Sequence, residues 1–221
     1  KLYIELFKSL SSREIQQFVY IPVKKYELIG SNAFKDQNVE IDYDLILKKY
    51  HRFFYLRKIN RTRKAILDKG LNLKAYDCIH AHTLFSDGGV AYLLNKKLNI
   101  PYCVSIRATD INVFYKYFLH LRSFIYRVLL NASKIIFISH AYVEKLKNIL
   151  PLNILKQVEH KFIVIPNGIH DDYYVAAKPK TFENPIKLLT IASLDKNKNT
   201  ITILQAVKKL KQDGYSIQLD I

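Results

Sequence analysis

At 221 residues, 49% of them hydrophobic, the chain can bury one large or two modest cores, which excludes a disordered or fibrous polypeptide. Its 35 Lys and Arg against 19 Asp and Glu, with a pI near 9.7, favour acidic partners: nucleoside diphosphates, anionic lipid headgroups or nucleic acid. No stretch approaches the roughly 18 to 20 uninterrupted apolar residues that span a bilayer, so any membrane role is peripheral.

Lys1 opens directly onto an amphipathic run (Leu2, Tyr3, Leu6, Phe7, Leu10) and the chain contains no Met, so we expect the native start to lie upstream. Ser216 to Ile221 alternates like a strand and stops without a turn, and we expect the native chain to continue there. Between these ends, short β-branched and aromatic runs recur at Gln17 to Pro22, Cys78 to His82, Tyr102 to Arg107, Lys134 to Ser139, Phe162 to Asn167 and Leu188 to Ala192. Most are too short for helices and lack strict alternation, so they read as strands buried on both faces, with Cys78 and Cys103 as small core hydrophobes in a reducing compartment. Segments of helical period separate them: 44–69, 89–98, 111–131, 140–150 and 200–212. In 111–131, Phe114, Phe118, Leu121, Ile125 and Val128 form the stripe with which a helix covers a sheet. Alternation of the two kinds predicts an α/β fold with a doubly wound parallel sheet.

Composition shifts at His170 to Pro185, a polar stretch with two prolines. The predicted organisation is a Rossmann-like domain over 1–175, a linker over 176–186, and the first βαβ unit of a second Rossmann-like domain over 187–221. In open parallel sheets the functional crevice lies beyond the carboxyl ends of the strands. That singles out His82 to Asp87, Arg107 to Asp110, Ser139 with His140, Asn167 with Gly168, and Ser193 to Asn199.

In Tyr76 to Gly89 (YDCIHAHTLFSDGG), a strand ending in His80 and His82 runs into a loop where Ser86 or Asp87 can cap the next helix. Gly88 and Gly89 there permit close approach of a ligand or of neighbouring backbone. The two histidines can contact substrate, satisfy loop carbonyls, or begin a metal site, although no further ligand cluster has recognisable spacing. In Ser105 to Asp110 (SIRATD), Arg107 is a fixed cation that can orient a sugar or balance phosphate charge. Asp110, three residues on, can do the same or simply cap the following helix.

The segment Lys48 to Ile66 carries Lys48, Lys49, Arg52, Arg57, Lys58, Arg61, Arg63 and Lys64 without an acidic residue, interleaved with Tyr50, Phe53, Phe54 and Tyr55. Three readings stay open. It can be a crossover helix with its aromatics on the sheet, a surface in which Lys48, Arg52, Phe53, Arg57 and Lys58 face an anionic membrane, or a nucleic-acid binder. No nucleic-acid motif accompanies the charge, which disfavours the last.

The order of the HAH strand, the SIRATD turn, a strand closing on Ser139, VIPNGI (Val164 to Ile169) and LLTIASLDKNKNTITILQAV (Leu188 to Val207) resembles glycosyltransferase family 4 over residues 76–221. The resemblance implies a GT-B fold and transfer of a sugar from a nucleoside-diphosphate sugar with retention of configuration. It implies no cofactor and no essential metal, and a lipid-linked glycan acceptor in bacterial surface polysaccharide synthesis such as capsule or exopolysaccharide. The implied location is the cytoplasm, peripheral on the inner face of the membrane. Carried over residue by residue, it puts Lys198 on the donor phosphate with Ser193 beside it, Asn167 and Gly168 at the donor edge, and His82, Arg107 and Asp110 in catalysis on the acceptor side. Gly88, Gly89 and Ser139 become loop contacts to the acceptor.

Departures from the family pattern are specific. Arg107 and Ala108 stand where the family's H-G-x-D turn has His and Gly. Ser193 and Ala192 replace the Arg and Gly of its G-R-L-x-x-x-K-(G/N) loop, whose Lys is kept as Lys198. The acid after N-G-I is displaced to Asp171, with His170 in its place, and the family's E-x7-E segment is not among these residues, so these residues alone are expected to be inactive. Ser193 in place of Arg also admits a binding module that kept the fold and lost donor chemistry, and the basic segment admits a membrane or nucleic-acid adaptor.

Overall fold

The computed structural model describes residues 2–168, 184–195 and 198–221. It divides into two compact units, one ending at His170 and one beginning at Asp171. Most of the expected linker, with His170 and Asp171 themselves, lies outside the described residues.

The first unit runs α1 (Leu2–Ser11), β1 (Gln17–Pro22), β2 (Val39–Asp44), α2 (Tyr55–Leu67), β3 (Ile79–Ala81), α3 (Ser86–Leu98), β4 (Tyr102–Ile106), α4 (Arg122–Asn131), β5 (Lys134–Phe137), α5 (His140–Lys147), α6 (Leu152–Val158) and β6 (Phe162–Val164). Its strands form a pair, β1–β2, and a four-stranded sheet in the order β3–β4–β5–β6. The second unit is a parallel β-α-β: β7 (Ile186–Leu189), α7 (Thr200–Gln212) and β8 (Ile217–Asp220). Every strand pair in both units is parallel, a mixed α/β architecture of Rossmann-like type.

The four-stranded sheet is central because one of its faces is wholly apolar and buried, while the other carries His80, Cys103, Ser105 and Ile136. Val104, Ile106, Ile135 and Phe137 are fully buried, as are Ile125, Val128 and Leu129 of α4. Each such side chain contributes about 1.5–3 kcal/mol relative to exposure. Gly88 and Gly89 let α3 approach its neighbours. A Cβ at Gly88 would lie 3.1 Å from Val104 Cγ2 and 3.2 Å from the Thr83 carbonyl; one at Gly89 would run into the Tyr55 hydroxyl and lie 3.3 Å from Ile59 Cδ1. The close approach is made by protein neighbours, α2 and β4 with α4.

Four local expectations change. β2 (VEIDYD) was not among the predicted strands. The apolar stripe of 111–131 does face the core, but its backbone is a π turn over Asp110–Tyr115, a break at Phe118 where ψ reaches 63°, and then α4. The 44–69 segment is helical as a 3-10 turn over Lys49–Arg52 followed by α2. Cys78 is exposed and only Cys103 is partly buried, because β3 begins at Ile79.

Candidate functional site

His82 and Arg107 leave the carboxyl ends of adjacent strands β3 and β4, and Asn167 follows β6 in the same sheet. One side chain draws them together. Arg107 Nε donates to the His82 carbonyl at 3.3 Å, and Nη1 donates to Asn167 Oδ1 at 3.0 Å. The guanidinium also stacks over the Tyr3 ring of α1, 5.4 Å from its centroid. Tyr3 in turn packs on the His82 imidazole at 4.4 Å, and Phe7 meets the same ring at 5.9 Å. Behind His82 lies His80, ring to ring at 4.2 Å, with its Nε2 3.0 Å from Ser105 Oγ of β4.

Asp110 holds this geometry. Its carboxylate is 1% exposed and accepts the N–H groups of Leu84 and Phe85 at 3.1 Å each and of Arg107 at 2.9 Å. Burial raises its pKa, while those three donors and the Arg107 charge pull it back down. The loops after β3 and β4 are thereby fastened to one another, and both carboxylate oxygens are engaged by backbone. A tetrad of Lys58, Ser86, Asp87 and Thr83 secures the start of α3. Lys58 Nζ donates to Ser86 Oγ at 2.6 Å and Thr83 Oγ1 donates to Asp87 Oδ2 at 3.1 Å. Burial lowers the Lys58 pKa and raises that of Asp87. Lys58 thus points inward, away from the outer surface on which the sequence had grouped it with Lys48, Phe53 and Arg57. The side chain of Arg52 lies outside the described residues.

Other predicted residues stand apart from this cluster. Ser139 precedes α5 in an extended conformation and makes no side-chain cap bond. Gly168 adjoins Asn167 in open space. In the second unit, Ser193 and Lys198 lie in the connection from β7 to α7. Ser193 Oγ donates to Asp195, whose carboxylate also accepts the Lys198 N–H at 3.1 Å. Asn199 enters α7 through a left-handed conformation, φ 52°, without a side-chain cap, and the Thr200 hydroxyl is buried with no hydrogen-bond partner. A helix start with no acidic residue in its first turn favours anions. Among the described residues no group of three or more His, Cys, Asp or Glu could hold a metal ion.

Two members of the first cluster, Tyr3 and Ser105, were absent from the sequence candidates. Tyr3 belongs to an amphipathic helix far away in sequence, and nothing local marks it. Ser105 could have been found as the only aliphatic hydroxyl in the otherwise largely apolar run of β4.

Parallel sheets carrying charged and aromatic side chains at their carboxyl ends define an α/β protein of the Rossmann-like, GT-B type. The profile of Glycosyltransferase Family 4 matches residues 4–173, which shows that the chain belongs to that family. The sequence is also 30% identical over 147 residues to an uncharacterised glycosyltransferase of Methanocaldococcus jannaschii; the match covers 66% of this chain and 38% of the relative.

His82 Nδ1 is buried without a hydrogen-bond partner, and burial, His80 and Arg107 together lower the imidazole pKa to about 3. A histidine depressed below its unfolded value near 6.5 contributes stability that is complete above pH 6.5 and is lost as pH falls toward 3. Urea unfolding of wild type and His82→Gln should therefore show the wild type losing about 2 to 3 kcal/mol more than the variant between pH 7.5 and pH 4.5. Parallel pH profiles would contradict the buried neutral imidazole.

Proposed function

We propose that the full-length protein transfers a sugar from a nucleoside-diphosphate donor to a hydroxyl of a lipid-linked glycan, retaining anomeric configuration and needing no metal ion. The observation that carries this reading is the convergence of Arg107, His82 and Asn167 at the strand ends of a family 4 domain. As the bond from the sugar C1 to the phosphate oxygen breaks and C1 bonds to the acceptor oxygen, whose proton passes to the departing phosphate oxygen on the same face, negative charge gathers on the departing diphosphate. Lys198 and the start of α7 meet that charge with preorganised donors. On the acceptor side, Arg107 is a rigid planar fork held by its bonds to His82 and Asn167, suited to hydroxyl or phosphate oxygens. Asp110 is a positioning residue, and Ser193 supports the donor loop through Asp195.

A membrane-proximal acceptor is favoured by the outer surface around α2. Phe53 is 77% exposed and Phe54 55%, while Arg57 lies over the Phe54 ring at 5.6 Å. The basic side chains Arg61, Arg63 and Lys64 surround a depression beside them. Exposed aromatics bordered by cations suit an anionic bilayer interface. No helix among the described residues is long and apolar enough to cross a membrane.

With a panel of UDP- and GDP-sugars, the full-length protein should turn over at least one donor, and Lys198→Ala should lower kcat/KM by about 10²- to 10³-fold. Silence across the panel together with absence of nucleotide binding would replace the enzyme with a non-catalytic binding module. Co-sedimentation with vesicles containing phosphatidylglycerol should fall at least several-fold on Phe53→Ser with Phe54→Ser, while transfer to a soluble acceptor stays unchanged. Equal vesicle binding by the variant would remove the membrane from the proposal.

A further inference from the structure

The basic segment builds a depression beside α2 of about 570 Å³, within the roughly 300–1,000 Å³ usual for small-molecule sites. Arg57, Arg61, Arg63 and Lys64 of α2, Lys97 of α3 and the turn residue His51 line it, with Asp68 as the one acid of the lining. Arg57, Arg61, Lys64 and Asp68 follow one another at intervals of four, three and four residues, so they share one side of the helix. None of the five cations forms an ion pair with another described residue. Five cations against one carboxylate leave a surplus of positive charge that only a partner from outside can neutralise.

Two hydrogen-bond donors of this lining are unmet. His51 is 3% exposed, and its Nδ1 accepts the Lys48 backbone N–H at 3.0 Å in the 3-10 turn over Lys49–Arg52. Tyr50 packs edge-on against the ring at 4.6 Å. Burial and the charges of Arg61, Lys58, Lys48 and Arg57 lower the imidazole pKa, so the ring is neutral at pH 7 and its one proton sits on Nε2. That Nε2 is buried with no hydrogen-bond partner among the described residues, and so is Nε of Arg63. Buried donors without acceptors are few in folded proteins and call for an explanation. Here two line one depression, amid surplus positive charge.

We infer that the depression is a phosphate site, taking a terminal phosphate monoester whose oxygens accept His51 Nε2–H and Arg63 Nε–H. A phosphate dianion supplies what a carboxylate or a halide does not: two negative charges, with several acceptor oxygens in tetrahedral array to meet N–H groups arriving from different directions. The arginines offer planar forks suited to such oxygens, while Lys64 and Lys97 add charge from two separate helices. The site shares no residue with the cluster of Arg107, His82 and Asn167. It depends neither on the transfer reaction nor on a membrane contact of Phe53 and Phe54. A lipid headgroup and a soluble phosphate ester both present this chemistry.

Histidine NMR of the full-length protein, titrated with inorganic phosphate at constant ionic strength, tests this, with the His51 signal assigned by its loss in His51→Phe. The signal should shift and saturate with a dissociation constant of about 1 mM or tighter. Arg63→Gln, which loses the guanidinium at an otherwise intact His51, should weaken that binding by roughly tenfold or more. Lys198→Ala, in the second unit, should leave it unchanged. Vesicles of phosphatidic acid, a lipid monoester, set against phosphatidylglycerol vesicles matched in surface charge, then identify the carrier. A preference for phosphatidic acid that Arg63→Gln removes assigns the site to a lipid headgroup, and saturable phosphate binding without that preference assigns it to a soluble ester. No saturating shift of His51 up to about 20 mM phosphate, or equal affinity in Arg63→Gln, overturns the site. A His51 signal moved by a single-stranded oligonucleotide and not by phosphate overturns it in favour of nucleic acid.

Discussion

The carboxylate of Asp110 fastens together the ends of two neighbouring strands, and the candidate site depends on that single buried group. It is the acceptor for backbone N–H groups on both the β3 loop, at Leu84 and Phe85, and the β4 loop, at Arg107. Each bond from an ionised acceptor is worth about 1.5–3 kcal/mol net, more than a neutral one. Because the Arg107 backbone is fixed, its side chain can reach the His82 carbonyl and Asn167 without further ordering. The π turn over Asp110–Tyr115 follows directly, bringing Ile111 and Tyr115 into the core beneath the clamp.

Charge placement in the two units is complementary to the chemistry proposed. In the first, the Arg107 guanidinium bonds to neutral partners, the His82 carbonyl and the Asn167 amide, while the buried Asp110 carboxylate takes the Arg107 backbone N–H and interacts with its charge. His82 stays neutral beside it, because burial and the neighbouring guanidinium both oppose a second positive charge. In the second unit, the helix start carries Lys198 and no acidic residue in its first turn. Arg at position 107, where the family pattern has His, exchanges a titratable group for a permanent cation.

Much of the sheet was legible because its strands are short, largely apolar runs: YCVSI and KIIF have no other reading at that length between helical segments. β2 was missed although it was legible: VEIDYD alternates apolar and acidic residues with the period of a half-exposed strand, and its acids are met by the Lys69 bridge to Asp42 at 2.8 Å and the Tyr20 hydroxyl on Asp44 at 2.8 Å. The periodicity of 111–131 correctly marked the inward face but not the break at Phe118, since apolar spacing reports which side is buried and not whether the backbone stays helical. In the site, Arg107, His82 and Asn167 were legible from their positions after strands. What they do to one another was not. That Arg107 bonds to His82 and Asn167, and that Tyr3 stacks between arginine and histidine, are tertiary facts that no local spacing encodes. Lys58 shows the opposite failure: one lysine of a basic run folds inward to Ser86 because it faces α3.

The most direct test of the clamp is the unfolding free energy of Asp110→Asn against wild type in urea at pH 7. Asparagine keeps the volume and one acceptor oxygen but loses the charge and turns the other position into a donor facing backbone N–H. A loss of about 2 to 4 kcal/mol is the result expected from breaking charged, buried hydrogen bonds. A variant within about 0.5 kcal/mol of wild type would mean that the two strand ends hold their geometry without Asp110, and that the site is organised by something else.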